Sequence, residues 1–115
     1  MKRDMETIRA LLLWMEDQKE GLFLYSSLPE MPDATTTVEH IRMLVSGGFL
    51  EETPQRAFRI SWEGHEFIDK VRDPEVWRKT KEGASRLGSW SVKLLGEMAS
   101  GFIRVKANEL GLPLG

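Results

Sequence analysis

Apolar residues recur at helical spacing in several stretches, each opened by a capping signal, and a short hairpin pattern lies among them. Together these predict a mainly α fold with a small β-hairpin and a helical C-terminal extension. The order helix, short strand, helix, hairpin, helix is that of a winged helix-turn-helix domain.

Asp4 is suited to cap the first helix, and Glu6 follows in its first turn, where the helix dipole favours an acid. Met5, Ile8, Leu11, Leu12 and Met15 keep helical spacing, so this helix runs to about Gln18 and is ended by Gly21. Leu22 to Tyr25 reads as a short strand. Ser26 to Ala34 contains Pro29, Pro32 and Asp33 and reads as a loop. Thr36 and Glu39 stand at capping-box spacing and open a second helix. Its predicted core face is Val38, Ile41, Leu44 and Val45, and Gly47-Gly48 stops it.

Phe49 to Thr53 and Ala57 to Ile60 are predicted strands around a turn at Pro54-Gln55-Arg56. Ser61 can cap a helix from Trp62 to Arg72 that buries Phe67, Ile68 and Val71. Asp73-Pro74 restarts a helix, because Asp caps and Pro suits the first helical position. That helix carries Val76, Trp77 and Thr80 and is punctuated by Gly83 and Gly88. Ser89 is the predicted cap of a last helix from Trp90 to about Asn108, weakened at Gly96 and Gly101 by about 1 kcal/mol each relative to Ala. The expected division is a winged-helix domain over 1–82 and a helical extension over 83–115.

The chain has 115 residues, 41% hydrophobic and 30% charged, which suits one globular domain. It has no cysteine, which excludes a disulfide scaffold, a thiolate zinc site and a Cys nucleophile. Asp4 and Glu6 interrupt the basic, apolar start that would mimic a secretory signal, and no run reaches the roughly 20 apolar residues of a membrane span. A soluble, cytoplasmic protein is therefore expected, with no membrane partner.

Net charge is −2, with no general attraction for nucleic acid. Residues 78–106, however, hold seven Lys/Arg against Glu82 and Glu97. That excess is either a footprint for an anionic partner or a solvated helix face.

Four stretches stand out: the opening Met1-Lys2-Arg3-Asp4-Met5, His40-Ile41 with Leu44, Gly48-Phe49-Leu50, and a block downstream. The block is Trp62-Glu63-Gly64-His65-Glu66-Phe67-Ile68-Asp69, followed by Arg72-Asp73 and Trp77. On these residues the chain resembles a bacterial, often phage- or prophage-associated family, domain of unknown function 2513. The resemblance covers residues 1 to about 80 and is most specific at the Trp62–Phe67 block. Ile60-Ser61 departs from it, standing where the family looks more like Leu-Thr. It implies a winged-helix-like fold and no established activity, so it assigns no catalytic residue.

His65-Glu66-x-x-Asp69 stands one residue away from the H-E-x-x-H zinc motif, with His40 as the only other histidine. The polar side of an amphipathic helix accounts for the same residues. No metal, cofactor or small-molecule substrate is expected. Ser61 is needed as a cap, and neither a G-x-S-x-G elbow nor a glycine-rich phosphate loop occurs, so catalysis is not expected. Trp62 and Trp77 are expected to pack between elements rather than to stack on bases.

Placing Ile41 inward turns Thr36, Glu39, Met43 and Ser46 outward, with His40 and Arg42 on the flanks. A DNA-reading face wants Arg, Lys, Asn or Gln; this one offers one Arg, an acid and a methionine. Arg56 and Arg59 in the hairpin could touch a phosphate backbone. Two partners stay open: DNA, read as a regulator, or a protein, bound as an adaptor or inhibitor. The candidate contact residues are Thr36, Glu39, His40, Arg42, Met43, Arg56 and Arg59.

The last helix is apolar on two sides, one with Trp90, Leu94, Met98, Phe102 and Val105, the other with Val92, Ala99, Ile103 and Leu110. Such a helix must bury both. It either serves a homodimer, through Val92, Ala99, Phe102 and Ile103, or folds irregularly onto its own core.

Overall fold

The computed structural model describes residues 2–113. Met1 of the opening motif and Leu114-Gly115 of the predicted extension lie outside the described residues. The described residues form five α-helices and one two-stranded antiparallel hairpin. The chain divides into two compact units, Met1–Ile68 and Asp69–Gly115.

In the first unit, α1 (Met5–Asp17) starts where predicted, with the Asp4 carboxylate accepting from the N–H groups of Glu6 and Thr7. Ile8, Leu11, Leu12 and Met15 are buried. Complete burial of such side chains is worth about 1.5–3 kcal/mol each. Leu22 to Tyr25 yields less strand than expected. Only Phe23 pairs, by two hydrogen bonds with Phe58, and a short 3-10 turn follows at Tyr25–Ser27.

Helix α2 (Ala34–Ser46) begins three residues earlier than a Thr36 cap would start it. Asp33 is the true cap, accepting from the Thr36 N–H at 2.8 Å, and this holds the Asp33 carboxyl below its ordinary pKa. The buried stripe is Thr37, His40, Ile41 and Leu44, whereas Val38 and Val45 are only half-buried. The helix is thus rotated about its axis relative to the expected core face, and two polar residues go inward.

Strands β1 (Leu50–Glu52) and β2 (Phe58–Ile60) pair in the register Leu50↔Ile60, Glu51↔Arg59, Glu52↔Phe58. Leu50 and Phe58 face the core, while Glu51, Glu52 and Arg59 are exposed. Phe58 is ringed by Phe23 at 6.0 Å and Tyr25 at 5.0 Å between centroids. Helix α3 (Trp62–Val71) is capped as expected: the Ser61 hydroxyl accepts from the Gly64 N–H and donates to the Gly48 carbonyl. Gly64 is where α3 meets the hairpin. A Cβ there would overlap the Phe49 carbonyl oxygen and stand 2.8 Å from Ile60 Cγ2.

The second unit is built on α4 (Pro74–Leu87) and α5 (Val92–Glu109). Asp73 caps α4 and Pro74 opens it, as the sequence predicts. Gly83 does not punctuate it; the helix runs through to Gly88, whose φ of 73° ends it. Met98 of α5 packs where a Gly83 side chain would be. Lys106, near the end of α5, donates to Asp73 at the start of α4 at 2.9 Å. The two helices therefore run in opposite directions along one another. α5 is capped by Ser91, not Ser89, and is continuous through Gly96 and Gly101. α4, assigned by the sequence to the first segment, packs against α5. Among the described residues no helix is long and apolar enough to cross a membrane.

Candidate partner-binding surfaces

Helix α2 presents Thr35, Arg42 and Ser46 to solvent, with Thr36, Glu39 and Met43 half-exposed. His40 does not belong to that surface. It is 0% exposed, its Nε2 accepts from the Asp4 N–H at 2.9 Å, and its Nδ1 sits 2.8 Å from the Thr36 carbonyl. Those contacts require a proton on Nδ1 and a lone pair on Nε2. His40 therefore ties the cap of α1 to α2, and is corrected from a contact residue to a structural one. Its inward position follows from the face that α2 buries, which is Thr37, His40, Ile41 and Leu44.

The hairpin offers less positive charge than Arg56 and Arg59 suggest. The cross-strand register places Glu51 opposite Arg59, and the two form an exposed ion pair at 3.0 Å. Exposed pairs of this kind add little stability, about 0–1 kcal/mol, but they do neutralise the arginine locally. Arg56 occupies the turn with a φ of 62°. Around Tyr25, burial first and then the Glu52 charge raise the phenol pKa, while Arg42 lowers it. Glu52 and Arg42 thus act on the same hydroxyl, and an acid lies within electrostatic reach of the one exposed arginine of α2.

The charge of the whole unit agrees. Residues 1–68 hold seven Lys/Arg against twelve Asp/Glu, a net of −5, and residues 69–115 hold nine against six, a net of +3. The basic residues of the second unit include Arg78, Lys81 and Arg86, which line an open cleft of about 440 Å³ along α4. Glu82 lines the same cleft and pairs with Arg78 at 3.0 Å.

The zinc-like residues are not brought together. His65, Glu66 and Asp69 are exposed on α3, and both ring nitrogens of His40 are engaged elsewhere. Among the described residues no group of three or more His, Cys, Asp or Glu is placed to hold a metal ion.

The two tryptophans expected to pack behave oppositely. Trp77 is 3% exposed, with Lys81 Nζ 5.8 Å from its ring centroid. Trp62 is 73% exposed, so its packing role is corrected. The signal was present in the sequence. The inward residues Gly64, Phe67, Ile68 and Val71 centre on one side of the helix at 100° per residue, which puts Trp62 on the opposite side.

On α5, Ala99 is 0% exposed and unavailable to a second chain, while Val92, Phe102 and Ile103 are half-buried. Ile103 lines a cavity of about 280 Å³ with Val76, Ala107, Leu110 and Leu112. Among the described residues, Val105, Leu110 and Leu112 are the exposed apolar residues of this end of the unit.

The family model described as Hypothetical protein (DUF2513) matches residues 2–90. A Haemophilus influenzae protein described as "Uncharacterized protein" is 34% identical over 91 residues, covering 70% of this chain and 76% of that relative. No solved structure matches.

Proposed function

The chain belongs to the DUF2513 family, and from its geometry we propose that it acts by binding a protein rather than by catalysis, using the first unit as a winged-helix-like module. The observation that carries this reading is the charge of that unit, −5, with Glu39 on the α2 surface and Glu51 pairing Arg59. A winged helix that reads DNA lays its second helix in the major groove, where phosphates flank it on both sides. Here that surface would carry acids toward the phosphates. The element order, with Phe23 pairing to β2, supports the winged-helix reading. Exposed Leu22, Leu24 and Trp62 supply apolar area for a protein contact. The phage association that the family resemblance implies fits an adaptor or inhibitor acting on a host complex.

The DNA-binding regulator is the second reading, favoured by exposed Arg42 and by the +3 charge of the second unit. The test is fluorescence anisotropy with a labelled random duplex at low and at physiological salt. Weak binding that disappears at physiological salt is expected, because few phosphates can be neutralised. Tight, sequence-selective binding at physiological salt, lost in Arg42→Ala, would replace the protein reading with the DNA one.

A homodimer is the simplest partner for Val105, Leu110 and Leu112. Light scattering on a sizing column should give a dimer mass that falls to monomer in Leu110→Glu, and a wild-type monomer at high concentration refutes it.

A further inference from the structure

Helix α3 turns one face inward through Gly64, Phe67 and Ile68 and leaves the other to solvent. That outer face begins with Trp62, the most exposed large apolar side chain among the described residues, at 73%. Its helical neighbours three and four residues on are His65 and Glu66, and Glu63 adjoins it; all three are exposed. The side chains of Trp62, Glu63 and Glu66 have no ion pair, hydrogen bond or ring contact within the described residues.

An indole left in water forgoes the stabilisation that burial of its large apolar surface would bring. Fully burying such a ring recovers 150 Å² or more of area, so a tryptophan at this position is poorly explained by stability alone. Glu63 has an ordinary role in the first turn, where it complements the helix dipole. Glu66 is past that turn and Trp62 gains nothing from it.

From this juxtaposition we infer that the outer face of α3 docks a basic segment of a protein partner, one Lys or Arg side chain lying on the Trp62 ring with its charge shared by Glu66 and Glu63. The inference rests on the protein-binding reading above and names the chemistry of the partner. An aromatic face attracts a cation through its quadrupole, more strongly for Trp than for Phe or Tyr, and adjacent carboxylates complete the cation's coordination. The net charge of −5 on residues 1–68 favours the same sign of partner and speeds its encounter. A purely apolar partner would leave both carboxylates buried and unpaired, which costs several kcal/mol. A phosphate-bearing partner would be repelled by them.

The test uses the full chain and a fluorescein-labelled twelve-residue peptide of alternating Arg and Gly, with a Gln-for-Arg counterpart. The Arg peptide should bind, weaken with salt and change the tryptophan emission, and the Gln peptide should bind far less. Trp62→Ala should lower affinity about tenfold and Trp62→Phe by less, following the ring's attraction for a cation. Glu63→Gln with Glu66→Gln should lower affinity and flatten its salt dependence. Circular dichroism melts confirm that each variant is folded. Equal affinity in wild type and Trp62→Ala would overturn the inference, as would equal binding of the two peptides. Either result leaves the protein-binding reading standing, because that reading is decided by the duplex titration and not by α3. Tight duplex binding that depends on Arg42 would overturn that reading instead.

Discussion

The two units of the chain solve the same packing problem with different means. The first joins short elements through specific polar ties: His40 between α1 and α2, Ser61 between the α2 stop and α3, and the close approach at Gly64. The second lays two long helices along each other, with a flexible Met98 filling the space at Gly83 and Lys106 joining their ends through Asp73 and Glu75. Their charges also differ in sign, −5 against +3. The difference separates order of elements from suitability for a ligand. The unit whose element order suggests a nucleic-acid module is the acidic one, and the basic charge sits on a plain helical pair.

If the first unit is held by exact fits, its substitutions should cost more than matched ones in the second. The largest effect is expected for Gly64→Ala. The added Cβ meets backbone, which cannot yield, so α3 must move off the hairpin at a cost of about 3 kcal/mol. Urea denaturation showing a loss under about 1 kcal/mol would break the comparison. Gly83→Ala is its matched control, since there the obstacle is the tip of a methionine side chain that can turn aside. A change within about 1 kcal/mol is expected.

His40→Ala should come next, at about 2–3 kcal/mol, because it opens a cavity and orphans the Asp4 N–H together. Proton exchange at the start of α1 should quicken more than elsewhere. Gly101→Ala should act in the opposite direction. No atom lies within 4 Å of that Cβ, and replacing an exposed mid-helix glycine gains about 0.5–1 kcal/mol. A rise in Tm of a few degrees checks it, and a fall would mean that α5 needs its glycine for a contact.

The smallest effect concerns acid. Asp33 and Asp73 both have pKa values lowered by the N–H groups they cap, Asp73 also by Lys106. A lowered folded-state pKa gives stability that is complete above the unfolded value and is lost as pH falls through the folded one. Stability should therefore decline below about pH 4, with a shallower decline in Asp73→Asn. An unchanged slope in that variant would show that the Asp73 contacts do not persist in solution.

Much of the architecture was legible because caps and stops are local chemistry. Asp4, Ser61 and the Asp73-Pro74 pair act within one helical turn, and all three perform as read. The misreadings came where two local signals competed. Asp33 and Thr36 can each open α2, and the earlier one does; which face then packs depends on tertiary contacts such as the Asp4 N–H on His40, which lies 36 residues away. Ser89 lost to Ser91 in the same way. The candidate surface was less legible than the fold. The pairing of Arg59 by Glu51 depends on strand register, which no single stretch encodes. Trp62 was recoverable from periodicity, but an aromatic is assumed buried unless its face is worked out.

One contact has a practical consequence for labelling. The two oxygens of Asp73 are divided between the first turn of α4 and the Lys106 ammonium at the far end of the sequence. The second unit is therefore a closed loop whose beginning and end meet, 33 residues apart along the chain. Leu112 and Lys70 line one cavity with Asp73, so that energy transfer between probes at those two positions would report opening of the pair. Removing the chain from Lys106 onward would unclasp it, and an affinity handle is better placed on the exposed turn at Gly88-Ser89.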